Sequence, residues 1–166
     1  MSTHWYALRT KPHKEQFVTQ QLQAREVVVY FPSLRVKPKN PRAARIRPYF
    51  PGYLFVQADL AAVGQNAFSW LPGVQGLVAF GGTAAAVPER LILELQQQLA
   101  QTTAAELAQR RFQPGDRVRI VSGPFAGYEA IFDMHLPGKE RVQVLLSFLS
   151  HYPQPVQMDG DDLVRL

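Results

Sequence analysis

The pattern of hydrophobic and polar positions in the first hundred residues predicts an α+β unit. Short runs of β-branched and aromatic residues, typical of strands, lie at 5–10, 27–31, 34–37, 46–49, 52–57 and 76–80. Apolar residues at helical spacing lie at 13–25, 61–70 and 88–99. This order of elements predicts an antiparallel sheet with flanking helices, in an N-terminal domain of residues 1–99.

The pattern changes in the last third of the chain. Short apolar runs alternate there with turns that contain glycine and proline. The predicted strands cover residues 116–121, 128–133, 140–146, 155–158 and 162–166. Five short strands within about fifty residues predict a small five-stranded β-barrel. We assign it to residues 112–166 and interpret residues 100–111, rich in Ala, Gln and Thr, as a linker.

Composition excludes several classes of protein. The 166 residues include no cysteine, which excludes disulfide frameworks, cysteine zinc sites and thiol catalysis. No apolar run approaches the roughly 20 residues of a membrane span. The N-terminal residues lack the basic, apolar and small-residue order of a secretion signal. We therefore expect a cytoplasmic protein that does not associate with membranes.

The sequence contains no recognisable catalytic or metal-binding motif. The four histidines are scattered at positions 4, 13, 135 and 151. No metalloprotease, P-loop, dinucleotide-binding or nucleophile-elbow motif is present. The run from Asp159 to Asp162 lacks the downstream ligands of a calcium loop. We expect a protein that is not an enzyme and that carries no cofactor or metal.

The net charge of +5 is unevenly distributed. Up to Arg111 there are thirteen Lys/Arg and six acids, which is +7; from Phe112 onward there are five and seven, which is −2. Residues 35–47 carry six positive charges and no acid. Pro38, Asn40 and Pro41 predict a loop or a loose hairpin tip here rather than a helix. It is either a solvated loop or a tip that contacts phosphates.

Several segments together resemble one known family. Residues 114–128 resemble the KOW motif. Other segments resemble the NusG N-terminal domain: Trp5-Tyr6, Phe50-Pro-Gly-Tyr-Leu-Phe-Val56, Leu71-Pro-Gly-Val74 and Phe80-Gly-Gly82. The chain thus resembles NusG-family transcription elongation factors. Ala130-Ile-Phe132, the apolar run 145–149 and the short linker are closer to RfaH-like paralogs than to housekeeping NusG.

The resemblance implies a function in transcription elongation, either pause suppression or antitermination. The N-terminal domain would bind the clamp helices of the RNA polymerase β′ subunit through an apolar depression on its sheet. The residues implied by position are Trp5, Ala7, Tyr53, Phe55, Val74, Phe80 and Leu95. The alternative for these side chains is a purely structural role in the core. The alternative for the protein is a ribosome-associated KOW protein that binds structured RNA.

The resemblance also implies contacts with nucleic acid and with a second protein. Non-template or upstream DNA would meet Lys11, His13, Lys14 and Gln20, and the basic tip with Arg35, Lys37, Lys39, Arg42, Arg45 and Arg47. A barrel loop would bind a small-subunit ribosomal protein or the Rho helicase through Pro124, Phe125 and Gly127. We expect a monomer. Whether the factor is general or operon-specific stays open.

In RfaH-like proteins the C-terminal domain can also form a helical hairpin that masks the polymerase site. Val142, Leu145, Leu146 and Leu149 would form a helical stripe, yet positions 142, 144 and 146 also alternate as a strand. The masking state is expected to use an acid–arginine bridge, but the matching positions here are Arg47 and Arg141, two like charges. That bridge is therefore absent as the sequence stands, with Glu140 as the alternative acid. Pro124 and Pro137 would interrupt a long helix. We therefore expect a free barrel on a tether.

Overall fold

The structure is a computed structural model that describes residues 3–35, 46–64, 66–100, 128–133 and 136–152. The elements in chain order are β1 (His4–Thr10), α1 (Glu15–Ala24), β2 (Val29–Tyr30), β3 (Ser33–Arg35), β4 (Ile46–Pro48), β5 (Tyr53–Ala58), α2 (Leu60–Val63), β6 (Val74–Leu77), β7 (Ala79–Phe80), β8 (Thr83–Ala84), β9 (Ala86–Val87), α3 (Glu89–Ala100), α4 (Tyr128–Ile131) and α5 (Gly138–His151).

The main sheet is antiparallel, as the sequence predicts. Its strand order is β2-β5-β1-β6, and β9 also pairs with β1. Ala7 lies opposite Phe55 in the register of β1 and β5. The strand predicted at 52–57 is therefore an inner strand, which explains its nearly continuous apolar sequence. Two small hairpins, β3-β4 and β7-β8, stand outside this sheet.

The strand pleat sends successive side chains of β5 to opposite faces. Phe55 belongs to one buried cluster, against which Tyr53 packs. Leu54 and Val56 belong to a second buried cluster. The two pairs therefore serve different layers, and the sheet is buried on both faces.

The second cluster lies between the sheet and α1. Val18 and Leu22, one helical turn apart, are fully buried there, as expected for the apolar face of an amphipathic helix. Phe68, Leu71 and Val74 complete this cluster from the segment that precedes and begins β6. The described residues of this cluster lie within the first 74 residues of the chain, apart from Leu77, Ala84 and Ala86.

The first cluster lies between the opposite face and two regions distant in sequence. From α3 it takes Leu91, Ile92, Leu95 and Leu99, whose spacing gives one helical face. From the C-terminal region it takes Ile131, Leu145, Phe148 and Leu149. Elements α4 and α5 thus share one buried core with the N-terminal sheet and α3.

The predicted strands 128–133 and 140–146 are wrong, because both segments are helical here. Arg141, Leu145, Phe148 and Leu149 are buried along α5, and their i, i+4, i+7, i+8 spacing fits a helix. Pro137 does not interrupt this helix, because it stands just before the first helical residue, where proline is tolerated. Burial on the sheet therefore outweighs the strand alternation at 142, 144 and 146.

The five-stranded barrel is accordingly not confirmed, and the expectation of a free barrel on a tether is wrong for residues 128–133 and 138–151. The remaining predicted strands lie outside the described residues, as does nearly all of the predicted linker. Residue 100 is the exception, since it ends α3.

The short helix predicted at 61–70 is also shorter than expected. Element α2 begins after Asp59, whose carboxylate accepts a hydrogen bond from Ala61 N–H at 3.1 Å, and it ends at Gly64, with φ of 86°. Residues 66–70 form turns. Among the described residues no helix is both long and apolar enough to cross a membrane.

Candidate functional site

The candidate site is the sheet face of the first cluster, here called the covered face and made of Trp5, Ala7, Tyr53 and Phe55. Phe55 lies at its centre and is fully buried. The ring of Tyr30 stacks near it at 6.4 Å between centroids, and the ring of Phe50 meets it edge-on at 5.9 Å. The covered face is thus a largely aromatic surface that is buried in one cluster with residues of α3, α4 and α5.

Helix α5 contributes to that buried cluster. Leu145, Phe148 and Leu149 are almost fully buried in the same cluster as Phe55. The opposite side of the helix carries Lys139, Glu140 and other exposed residues. An amphipathic helix therefore lies with its apolar side on the covered face, which is the geometry of a helix bound in a groove.

Arg141 fastens this helix to the body of the protein. Its Nε donates a hydrogen bond to the Tyr49 carbonyl at 3.0 Å, and its guanidinium lies 3.9 Å from the centre of the Tyr49 ring. It also donates to the carbonyl of Leu136. Burial lowers the pKa of Arg141, which the Tyr49 and Asp133 side chains partly offset. The cation is stabilised by a ring face and carbonyl dipoles.

Tyr49 contacts both C-terminal helices. Its hydroxyl donates to the carbonyl of Ile131 at the end of α4, at 2.7 Å, and its ring lies under Arg141 of α5. Burial raises the pKa of this hydroxyl, with a smaller opposing effect of Arg141. Gln98 adds a bond from α3 to the Phe132 carbonyl, at 3.3 Å. Sequence reasoning missed Tyr49, which follows Pro48 without any motif.

The acid–arginine bridge expected for a masking state is replaced by this arrangement. Arg47 is exposed on β4 and its charge contributes to lowering the pKa of Arg141, as expected for like charges. Glu140 is exposed on α5. The contact of Arg141 with Tyr49 attaches α5 to the N-terminal domain instead. The like charges of Arg47 and Arg141 therefore do not prevent α5 from packing there.

The structure gathers five of the seven residues predicted to bind polymerase. Trp5, Ala7, Phe55 and Leu95 are buried in the first cluster and Tyr53 packs against it. Val74 lies in the second cluster, on the other side of the sheet. Phe80 is partly exposed in the β7-β8 hairpin. Neither Val74 nor Phe80 therefore belongs to the covered face.

The residues predicted to bind nucleic acid lie at the surface where they are described. Lys11, His13, Lys14 and Gln20 are exposed on or just before α1, and Arg47 is exposed on β4. Lys37, Lys39, Arg42 and Arg45 lie outside the described residues, and only the backbone of Arg35 is described, in β3. Pro124, Phe125 and Gly127, predicted to bind a second protein, also lie outside them.

An open cleft lies between the covered face and the basic residues before α1. Arg9, His13, Pro51, Tyr53 and Gln75 are among its lining residues. It therefore runs from the edge of the covered face to the start of α1. Within the described part of the chain, no cluster of three or more His, Asp or Glu side chains could hold a metal ion.

Comparison with known proteins gives a consistent result. Residues 3–96 match the family model described as "Transcription termination factor nusG". The transcription termination/antitermination protein NusG of Thermus thermophilus is 29% identical over 185 aligned positions, covering 99% of this chain and all of that protein. Its counterpart from Deinococcus radiodurans is 31% identical over 191 positions, with the same coverage.

A solved structure is also similar. It is described as "Domain interaction in Thermotoga maritima NusG" and has 25% sequence identity to this chain. The match covers 76% of this chain and 78% of that one, with a TM-score of 0.46.

Proposed function

The chain belongs to the NusG family of transcription termination and antitermination factors, and from this premise we propose that it binds RNA polymerase through the covered face. The proposal assigns it no catalytic step. A factor of this kind acts through binding energy alone, by binding one state of its partner better than another. Binding that favours the closed clamp would suppress pausing, and a differential of about 1.4 kcal/mol changes such an equilibrium tenfold.

The observation that supports this proposal is that the covered face already binds a helix. Leu145, Phe148 and Leu149 of α5 share one buried cluster with Phe55 and its neighbours. A surface that accommodates one amphipathic helix has the shape and apolar character to accept another. The partner implied by the family resemblance, the clamp helices of the β′ subunit, is itself helical. We therefore assign Trp5, Ala7, Tyr53, Phe55 and Leu95 to polymerase binding.

It follows that α5 and polymerase compete for one surface. The apparent affinity for polymerase is the intrinsic affinity reduced by the fraction of molecules in which α5 is released. The arrangement supports an autoinhibited resting state of the kind implied by the resemblance to RfaH-like paralogs. A signal that favours release, such as nucleic acid bound at the basic surface, would then activate the factor.

The remaining roles follow from charge and from the KOW resemblance. The basic residues before α1 and in the 35–47 tip would contact non-template or upstream DNA through the phosphates. Once released, the C-terminal region would be free to adopt the barrel fold that residues 114–128 resemble. In that form Pro124, Phe125 and Gly127 would engage a ribosomal protein or Rho.

A reversible covalent lock tests the competition directly. A Cβ at Gly138, at the start of α5, would lie 2.9 Å from Cδ and 3.0 Å from Cγ of Pro51. Replacing both residues removes the crowding ring atoms and brings two Cβ atoms into the range of a disulfide. Because the chain has no cysteine of its own, the double variant Pro51→Cys/Gly138→Cys forms one defined bridge.

We expect the oxidised double variant to lose binding to bacterial RNA polymerase in a pull-down, and the reduced form to regain it. Each single cysteine variant, treated with the same oxidant and reductant, is the matched control. If the oxidised and reduced double variants bind polymerase equally, the covered face is not the polymerase-binding surface.

A further inference from the structure

An open groove of about 650 Å³ lies at the end of the central sheet where β5 finishes and β1 begins. We call it the acidic groove and define it by five of its lining residues, Glu26, Val28, Asp59, Val63 and Trp70. Its walls come from the turn after α1, from α2 and from the turns before β6. The residues of the covered face are not among those that line it, so the acidic groove and the proposed polymerase site are separate surfaces.

Exposed apolar side chains are concentrated around this groove. The described residues include six exposed large hydrophobic side chains, and three of the six line the groove. Val28 is 53%, Val63 54% and Trp70 66% exposed. Single exposed apolar residues are normal on a protein surface, but a group of them around a concave surface is typical of a protein-binding site. Tryptophan is also among the residues that contribute most binding energy at interfaces.

The charge of the groove is opposite to that of the domain around it. Its lining includes the acids Glu26 and Asp59, and the described lining residues include no Lys or Arg. The first 111 residues carry thirteen Lys/Arg and six acids, so an acidic apolar groove is an exception in this part of the chain. Such a lining repels a phosphate backbone and attracts a Lys or Arg that stands beside an apolar side chain.

Glu26 has a backbone conformation that normally belongs to glycine. Its φ is 61°. It follows Arg25, the C-cap of α1, and its N–H donates a hydrogen bond to the Gln23 carbonyl at 3.0 Å. Helices commonly end on glycine at this position, because a Cβ is unfavourable in the left-handed region. A glutamate retained at such a position indicates a function of its carboxylate other than stability.

The walls of the groove are fixed by local contacts. Gln57 N–H donates to the Val28 carbonyl at 3.0 Å, and Asp59 Oδ1 accepts a hydrogen bond from the first turn of α2 at 3.1 Å. The Arg25 guanidinium lies 5.1 Å from the centre of the Trp70 ring, which orients this ring beside α1. The groove therefore presents its apolar and acidic groups in place, and such preorganisation favours binding.

We propose that the acidic groove binds a short segment of another protein in which Lys or Arg stands beside a large apolar residue. The apolar side chain would pack against Val28, Val63 and Trp70, and the cation would pair with Glu26 and Asp59. An acidic segment or a nucleic acid lacks the charge that this lining requires. The inference goes beyond the proposed function and does not rest on it, because the groove shares no residue with the covered face.

Selection from a phage library of random dodecapeptides tests the proposal without assuming the identity of the partner. The full chain and its Glu26→Lys variant are used in parallel as targets, in the absence of polymerase. We expect the peptides enriched on the parent chain alone to place Lys or Arg next to an aliphatic or aromatic residue. The absence of peptides specific to the parent chain would overturn the proposal, and so would specific peptides rich in Asp and Glu.

Two variants separate binding from folding, with the selected peptide labelled with fluorescein and titrated with each of them. Glu26→Gly removes the carboxylate and relieves the backbone at this position. It should therefore leave the Tm unchanged or higher and yet weaken peptide binding about tenfold. Asp59→Asn keeps a side chain that can cap α2 and should weaken binding by a similar factor.

Glu89→Lys is the matched control for Glu26→Lys, because Glu89 is an exposed acid on α3 and the change in net charge is the same. This control should bind the peptide as the parent chain does. Trp70→Ala should weaken binding about tenfold, and added salt should weaken parental binding because it screens the ion pairs. Parental affinity of the folded Glu26→Gly or Trp70→Ala variant would contradict the proposal.

Discussion

The two faces of the central sheet are both buried, but they are buried in different ways. The face under α1 is covered by chain that directly precedes or follows the strands, and backbone hydrogen bonds such as that from Lys11 to Gly73 tie the cover to it. The covered face receives α5, which begins 38 residues after α3 ends. Its polar attachments centre on Tyr49 and Arg141.

The difference indicates that one face is a permanent core and the other an exchangeable interface. If α1 left the sheet, Leu54 and Val56 of the inner strand β5 would be exposed to water. Losing α5 would leave the sheet, α1 and α3 paired as before. Elements of low local stability are the ones that conformational switches use.

The largest expected effect is a difference in protein stability between truncating a buried leucine of α1 and truncating one of α5. Leu22 in α1 and Leu145 in α5 are both fully buried leucines. Leu22→Ala should lower the free energy of unfolding of the sheet by about 2–5 kcal/mol. Leu145→Ala should leave the unfolding of the sheet nearly unchanged and release α5 instead. Chemical denaturation, monitored by near-ultraviolet circular dichroism, measures the stability of the sheet. A polymerase pull-down measures the release of α5.

In this comparison the Leu145→Ala variant should bind polymerase more tightly than the parent chain, while Leu22→Ala should not. Equal losses of sheet stability in the two variants, with no gain of binding for Leu145→Ala, would show that α5 is as permanent a part of the core as α1.

A smaller effect is expected at the attachment point of α5. Arg141→Ala removes both the ring contact and the hydrogen bond to the Tyr49 carbonyl, so α5 docking should weaken by about 1–3 kcal/mol. Polymerase affinity should rise in proportion, up to the point where α5 is fully released. Arg141→Met, which keeps much of the packing, should lie between Ala and the parent.

Lys139→Ala is the matched control, because Lys139 is an exposed cation on the same helix. An Arg141→Ala chain that binds polymerase no better than the Lys139→Ala chain would contradict the role assigned to the Arg141–Tyr49 contact.

The sequence predicts the N-terminal sheet well because local signals agree there. The strands at 52–57 and 5–10 combine β-branched and aromatic residues with burial on both sides, and the helices at 13–25 and 88–99 have a clear apolar period. Strands β3 and β4 pair, as the prolines and asparagine in the sequence between them predict. Four of the residues that the family resemblance implies for polymerase binding, Trp5, Ala7, Tyr53 and Phe55, share one face because side chains alternate along each strand. Leu95 reaches the same cluster from α3.

The C-terminal region could not be predicted in the same way because its pattern fits two structures. Val142, Val144 and Leu146 alternate as in a strand, while Arg141, Leu145, Phe148 and Leu149 share one helical face. A choice between them depends on the presence of an apolar surface elsewhere in the chain, which local propensity does not report. The burial of Arg141 could not be predicted either, because its partners are the Tyr49 ring and two carbonyl oxygens rather than a carboxylate.

The central claim is that polymerase takes the place of α5 on the covered face. Amide hydrogen exchange of the full chain, with and without saturating bacterial RNA polymerase, tests it most directly. The account predicts that backbone amides at 138–151 lose protection when polymerase binds, while those of α1 keep theirs. Undiminished protection of 138–151 in the complex would contradict it.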